Sequence, residues 1–248
     1  MQKSISLRSF AVRAIKWALH RTGRYGHDAF ADIKRLSQAW QYSIEIFFDV
    51  GANDGHAITR ARHDFGSCRI ISFEPHPKTF RQLTDNMANI PNVELLNVAL
   101  GSEVGEKMMF EYDNSKINSL IPDAQYAVRF NKDASRQIRV DGTTIDRFCS
   151  DRHIKKIDIL KIDTEGYDFE VLKGATSMLA QRAIRFIYFE FNDISPRIGT
   201  SGGALMPIDQ LISPHGYRFI ATYNDSVVPE GELFLVSNAL YALPPSRR

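Results

Sequence analysis

Phe47-Phe48-Asp49-Val50-Gly51-Ala52-Asn53-Asp54-Gly55 is the stretch from which the rest of the chain can be ordered. The run Ile46–Val50 is almost continuously apolar, as a strand buried on both faces should be. It passes straight into a turn holding two glycines, and His56–Phe65 then reads as a helix. Strand, glycine turn and helix in that order put the turn at the carboxyl edge of a doubly wound sheet, where ligands bind. Gly51 and Gly55 allow close backbone approach and unusual dihedrals. Their spacing, G-x-x-x-G, does not meet the dinucleotide pattern G-x-G-x-x-G, and the G-K-[ST] ending of a phosphate loop is absent. Asp49 and Asp54 flank the turn, so a pyrophosphate would meet negative charge there. A cationic ligand suits it better, and a sulfonium amino acid carries both a positive sulfur and an ammonium.

Working outward, β-rich apolar runs occur at Ile46–Val50, Arg69–Phe73, 93–100, Ile157–Ile162, 186–191, 217–222 and 234–236 with 239–243. Helix-compatible stretches separate them at His56–Phe65, 78–88, 167–180 and 207–213. This alternation predicts an α/β fold with a largely parallel sheet covered by helices on both faces. Residues 101–156 break the rhythm with two further strand-like runs, 107–112 and 137–140, around a polar stretch with Pro122. They read as an inserted hairpin at a sheet edge or above it, placed to shape a pocket.

Two more strand ends are acidic. Ile70-Ile71-Ser72-Phe73-Glu74-Pro75 puts Glu74 19 residues after Gly55, the offset at which an acid accepts hydrogen bonds from the ribose hydroxyls of an adenosine-containing cofactor. Lys161-Ile162-Asp163-Thr164-Glu165-Gly166 again runs from a strand end through glycine toward a helix. Asp163 and Glu165 are candidates for acceptor binding and general base, with Glu190 of Tyr188-Phe189-Glu190-Phe191-Asn192 as a third. Three acids on one edge are also the hard-oxygen set a divalent cation takes; no residue is assigned to a metal. His76, after Glu74-Pro75, is expected near the adenine.

Phe48 to Gly55, then Phe73-Glu74-Pro75, Asn97-Val98-Ala99-Leu100-Gly101, Thr143-Thr144-Ile145-Asp146, Asp158 to Gly166 and Glu170-Val171-Leu172-Lys173-Gly174-Ala175 together resemble the FkbM family of S-adenosylmethionine-dependent methyltransferases. The resemblance covers about residues 45–242. It implies a Rossmann-like, seven-stranded class I methyltransferase sheet and methyl transfer, most often to a hydroxyl of a sugar, polyketide or other secondary metabolite. Carried over by position, it implies that Asp49, Gly51, Asn53 and Gly55 line the methionine part of S-adenosylmethionine. Glu74, followed by Pro75, would hold the ribose, while Asn97 and Ala99 would lie near adenine, and Asp163 would border the cofactor as well as the acceptor. The cofactor motifs leave N- or carboxyl-methylation of a small molecule open. A rival from another class is a non-catalytic protein that retains the fold and acts at a membrane surface or on a partner, and the intact acids Asp49, Glu74, Asp163 and Glu165 argue against it. Acceptor choice is expected to depend on residues 101–156 and 192–206.

The chain has 248 residues, with 31 Lys and Arg against 29 Asp and Glu, and 44% apolar residues. Lys3, Arg8, Arg13, Lys16, Arg21 and Arg24 fall in the first 26 positions with no acid, which leaves 25 bases against 29 acids for the remainder. A body of that sign has no electrostatic footprint for nucleic acid, and the Asp/Asn-Pro-Pro-aromatic tetrapeptide of base-modifying methyltransferases is absent. Residues 5–20 read as a basic amphipathic helix that packs on the domain or makes weak contact with a membrane surface through residues 3–24. The expected organisation is an N-terminal basic helical segment over 1–40 and a single methyltransferase domain over 41–248. Arg13 and Lys16 interrupt any signal-peptide core, so a cytoplasmic location is expected, peripheral at most to the inner face of the membrane. Cys68 and Cys149, without a second Cys or His at metal spacing, read as buried free thiols.

Overall fold

The computed structural model describes residues 24–121, 136–195, 203–228 and 234–245. The basic helix expected over 5–20, Pro122 and residues 199–202 lie outside the described residues. Helix α1 (Ala29–Ala39) precedes strand β1 (Ile46–Val50), followed by α2 (His56–Phe65), β2 (Arg69–Phe73), α3 (Pro77–Met87) and β3 (Val93–Leu96). Next come β4 (Ala99–Leu100), β5 (Gly105–Glu111), β6 (Arg136–Thr143), α4 (Ile145–Asp151), β7 (Ile157–Ile162), α5 (Asp168–Lys173) and α6 (Thr176–Ala180). The chain closes with β8 (Ile184–Phe191), α7 (Leu205–Ile212), β9 (Arg218–Val228) and β10 (Phe234–Ala242).

Seven strands form the main sheet in the order β3-β2-β1-β7-β8-β10-β9. The first five run parallel, while β10 is antiparallel to both β8 and β9. This is the Rossmann-like seven-stranded class I methyltransferase arrangement. Alternation along the strands sends successive side chains to opposite faces. Phe47, Ile70 and Ile159 therefore pack with α1, α2 and α3, whereas Phe48, Ile71 and Leu160 pack with α4, α5, α6 and α7. The order reverses beside β1, so the β1 and β7 ends open onto a common crevice. Cys68 and Cys149 are buried and free.

Several elements differ from the sequence expectation for local reasons. The run 93–100 is two strands in two sheets, interrupted where the Asn97 amide donates to the Glu74 and Pro75 carbonyls at 2.8 Å each. The stretch 167–180 is two helices, α5 and α6, with the Asp146 carboxylate capping the second by accepting from Ser177 and Met178 N–H. The runs 234–236 and 239–243 join as β10, whose register against β9 shifts between Val236 and Asn238. Helix α4 was not expected, and α1 lies within the segment 1–40 expected to be helical but beyond the 5–20 stretch whose periodicity pointed to a helix. Asp28 caps α1 through its carboxylate, and Ala29, Ile33 and Leu36 seat it in the core beside β1. The inserted hairpin pairs β5 with β6 antiparallel in a separate three-stranded sheet with β4.

Candidate active site

A cavity of about 540 Å³ opens at the carboxyl ends of β2, β1 and β7, within the range of about 300–1,000 Å³ for small-molecule sites. Gly51, Asn53, Glu74, Pro75 and Ala99 line it on one side, Asp163 and Glu165 further along. Seven of the residues picked out by the sequence are thus brought to one place. Asp49, Gly55, Asn97 and Glu190 are not among the lining residues. Gly55 instead begins α2 with φ 89°, and a Cβ there would meet the Met87 side chain at 2.6 Å, so it serves the packing of α2 on α3. His76, expected near adenine, caps α3 by accepting from Thr79 N–H at 3.3 Å and faces Glu111 of β5 at 3.5 Å.

The two turns fit together through their backbones. Gly51 N–H and Ala52 N–H both donate to the Phe73 carbonyl, and Asp163 N–H donates to the Val50 carbonyl at 3.0 Å. A Cβ on Gly51 would lie 1.9 Å from the Asp163 carbonyl oxygen, so only glycine lets the turns approach this closely. Asn53 and Glu165 both hold positive φ, 45° and 54°. Asn adopts this region readily, whereas for Glu165 it is a strain that the surroundings enforce.

Glu74 is 5% exposed. One carboxylate oxygen accepts from Asn53 N–H at 3.0 Å and the other from His76 N–H at 2.9 Å. Burial raises its pKa, and these two amides pull it back. The side chain is fixed by the β1 turn, with lone pairs left toward the cavity it lines.

Lys161 is a cavity-lining residue that sequence reasoning passed over. Its Nζ lies 3.0 Å from Asp49 Oδ1 and 3.6 Å from Asp163 Oδ2, and donates to the Gly51 carbonyl at 3.1 Å. Asp49 is wholly buried and its Oδ2 has no partner. Burial raises the Asp49 carboxyl and Lys161 lowers it; for the lysine, burial works against the charge but Asp49 and Asp163 outweigh it. The available signal was a lysine inside a strand buried at every position, which requires a partner.

Ligand atoms of Asp163, Glu165 and Glu190 lie within 4.8 Å of one another, a spacing that a hard cation could bridge. Burial first, then the charges of Asp163 and Asp168, push Glu165 and Glu190 well above the usual carboxylate range. Asp168 ties the turn after β7 to β8, accepting from Thr164 N–H, Thr164 Oγ1 and Glu190 N–H at 3.1, 2.5 and 3.0 Å. Burial pushes its own pKa up to about 6.

The insertion reaches over the cavity as expected. Met109, Ser115, Asn118, Ser119 and Leu120 line it, Ser119 Oγ donates to the Glu165 carbonyl at 2.9 Å, and Asn53 Nδ2 donates to the Ser115 carbonyl at 3.4 Å. His27, Asp28 and Phe30 at the start of α1, with Arg60 of α2, form a wall that no sequence motif signalled.

The chain is 26% identical over 157 residues to the 2-O-methyltransferase NoeI of Sinorhizobium fredii, covering 60% of this chain and 63% of that protein. It is 28% identical over 163 residues to the hexuronic acid methyltransferase AglP of Haloferax volcanii, covering 65% and 62%. With the 31-O-demethyl-FK506 methyltransferase FkbM of Streptomyces tacrolimicus it shares 24% over 200 residues, covering 71% and 74%. The chain thus spans about three fifths of the length of the first two relatives. The family described as the methyltransferase FkbM domain matches residues 49–219, which hold both turns, Glu74 and the acid cluster. With the match extending over more than half of its length, the chain belongs to the FkbM methyltransferase domain family.

Proposed function

We propose that this protein is an S-adenosylmethionine-dependent methyltransferase acting on a hydroxyl oxygen of a sugar, glycolipid or secondary metabolite. The observation that carries this reading is the convergence of a pinned Glu74, the glycine turn and the acids Asp163 and Glu165 on one cavity. Bound there, S-adenosylmethionine supplies a methyl group on a sulfonium sulfur. Glu74 offers its remaining lone pairs to the two ribose hydroxyls; hydrogen bonds to a charged group are worth about 1.5–3 kcal/mol each. Gly51 and Asn53 hold the methionine portion, and Pro75 and Ala99 flank the adenine. Asp163, held by Lys161, orients the acceptor hydroxyl. Glu165, with Glu190 beside it, takes the proton as the oxygen gains the methyl group. Burial and the neighbouring carboxylates raise both groups above the usual carboxylate range, which strengthens them as proton acceptors, and a positioned base contributes roughly 10²–10⁴-fold.

Family membership supports the reading, as do relatives whose names describe methyl transfer, in one case to a 2-O position. No helix among the described residues is long and apolar enough to cross a membrane. The six bases of positions 3–24 support a peripheral contact with an anionic surface from the cytoplasmic side.

Calorimetric titration with S-adenosylhomocysteine tests the proposal. Binding is expected well below about 100 µM, and Glu74→Ala should weaken it tens-fold with the fold intact. Absence of binding at that concentration contradicts the methyltransferase reading. Unchanged affinity in Glu74→Ala would refute the ribose assignment alone.

A further inference from the structure

The cavity extends well past the ribose site. Its walls include Glu74 after β2, Asp163 after β7, Tyr188 of β8, Asn238 of β10 and Tyr223 of β9, so it crosses most of the sheet. If the cofactor occupies the β2 and β1 half, as proposed above, the acceptor is left with the part walled by His27, Asp28, Phe30, Arg60 and Tyr188. This part has both aromatic and charged character. Phe30 meets Tyr188 edge-on at 6.5 Å between ring centroids, and Tyr188 meets Tyr223 edge-on at 5.9 Å.

The charges are distributed asymmetrically. Among the described residues lining the cavity, five are carboxylates, Asp28, Asp54, Glu74, Asp163 and Glu165, and two are fixed cations, Arg60 and Lys161. Both cations are already engaged. Arg60 Nη2 donates to Asp28 Oδ1 and Oδ2 at 3.0 and 2.8 Å, and its Nε donates to Asp64. Lys161 is held by Asp49, Asp163 and the Gly51 carbonyl. Among the described residues, an anionic acceptor would find no side-chain cation without a carboxylate partner, and it would approach walls that carry more carboxylic groups than cations.

From this arrangement we infer that the acceptor is an uncharged hydroxylated ring and that the site discriminates against anionic acceptors such as uronates. The aromatic wall suits the apolar face of such a ring, and the surrounding carboxylates accept from its hydroxyls. The Asp28–Arg60 pair is a specificity-determining element: by taking both bonds from Arg60 Nη2, Asp28 competes for the cation that, among the described residues of this part of the wall, could hold a carboxylate. The inference rests on the methyltransferase reading.

The test uses the full chain saturated with S-adenosylhomocysteine and two matched pairs of probes: methyl β-D-glucopyranoside with methyl β-D-glucuronide, and methyl α-D-mannopyranoside with methyl α-D-mannuronide. Binding is read by ligand-observed saturation-transfer NMR. The neutral member of a pair should bind at least about tenfold more tightly than its uronate, the scale expected for an uncompensated like charge. Equal or tighter uronate binding overturns the inference, and so does binding of neither member. Failure of S-adenosylhomocysteine itself to bind is seen separately and removes the cofactor reading together with the inference resting on it. Asp28→Asn keeps an N-cap residue on α1 while freeing Arg60 from one carboxylate, and should reduce discrimination against the uronates several-fold. An unchanged ratio would overturn the role given to the Asp28–Arg60 pair.

Discussion

Lys161→Met destabilises the protein by about 3–5 kcal/mol at neutral pH, the scale for removing one partner of a buried ion pair. Lys161 is 7% exposed and Asp49 fully buried, so the substitution leaves a carboxylate in the core with neither water nor a counter-ion. Pairing the change with Asp49→Asn removes the stranded charge, and the double variant should recover most of the loss. The single variant's deficit should also shrink toward acid pH. Burial already raises the Asp49 carboxyl and Lys161 lowers it. Without the lysine its folded-state pKa lies further above the unfolded value, so protonation restores stability as pH falls. Chemical denaturation at neutral and mildly acid pH reads both effects. A deficit that is pH-independent and not rescued by Asp49→Asn would mean that Lys161 contributes packing alone. The variant should bind S-adenosylhomocysteine weakly as well, since Nζ also holds the Gly51 carbonyl against the β7 turn.

Gly51→Ala is expected to be the most damaging glycine-to-alanine change among the described residues. The added Cβ would sit 1.9 Å from the Asp163 carbonyl oxygen and 2.9 Å from its carbon, both backbone atoms unable to move aside. Gly51 also holds φ 77°, where an L side chain costs about 1–2 kcal/mol before any clash. With overpacking of about 1–3 kcal/mol, the loss reaches roughly 2–5 kcal/mol. Relief requires parting the β1 and β7 turns, which displaces Asn53 from Glu74 and should weaken S-adenosylhomocysteine binding by about a hundredfold or more. Thermal melts and calorimetry measure the two consequences. Near-wild-type values for both would show that the turns do not need this close approach.

How much of this could be read beforehand depended on whether the determining contacts were local. The strands β1, β2 and β7 and helix α2 have the bounds that their apolar runs and flanking glycines indicate, because burial on both faces leaves few polar positions to confuse the reading. The acidic strand ends were legible for the same reason. Other features are set by distant partners. Asn97 interrupts an apolar run by reaching the carbonyls after β2. Gly174 divides a helical stretch where a Cβ would meet the Gly101 carbonyl at 2.0 Å. Helix α1 was hidden because Asp32, buried on its inner face, reads as a surface residue until Tyr223, 191 positions away, donates to it at 2.9 Å. Asp49 carries the strongest motif in the sequence, yet it pairs with Lys161 and does not line the cavity, since the residue it meets depends on which strand lies beside β1. The acceptor wall had no local signal, since His27, Phe30, Arg60 and Tyr188 meet only once the helices are docked.

A crystal structure of the full chain with S-adenosylhomocysteine tests the central claim most directly. The expected result places the ribose hydroxyls within hydrogen-bond distance of the Glu74 carboxylate, about 2.5–3.0 Å, with the sulfur over the Gly51 turn facing Asp163 and Glu165. A ligand bound with its ribose away from Glu74, or its sulfur turned from the acid cluster, would contradict the claim.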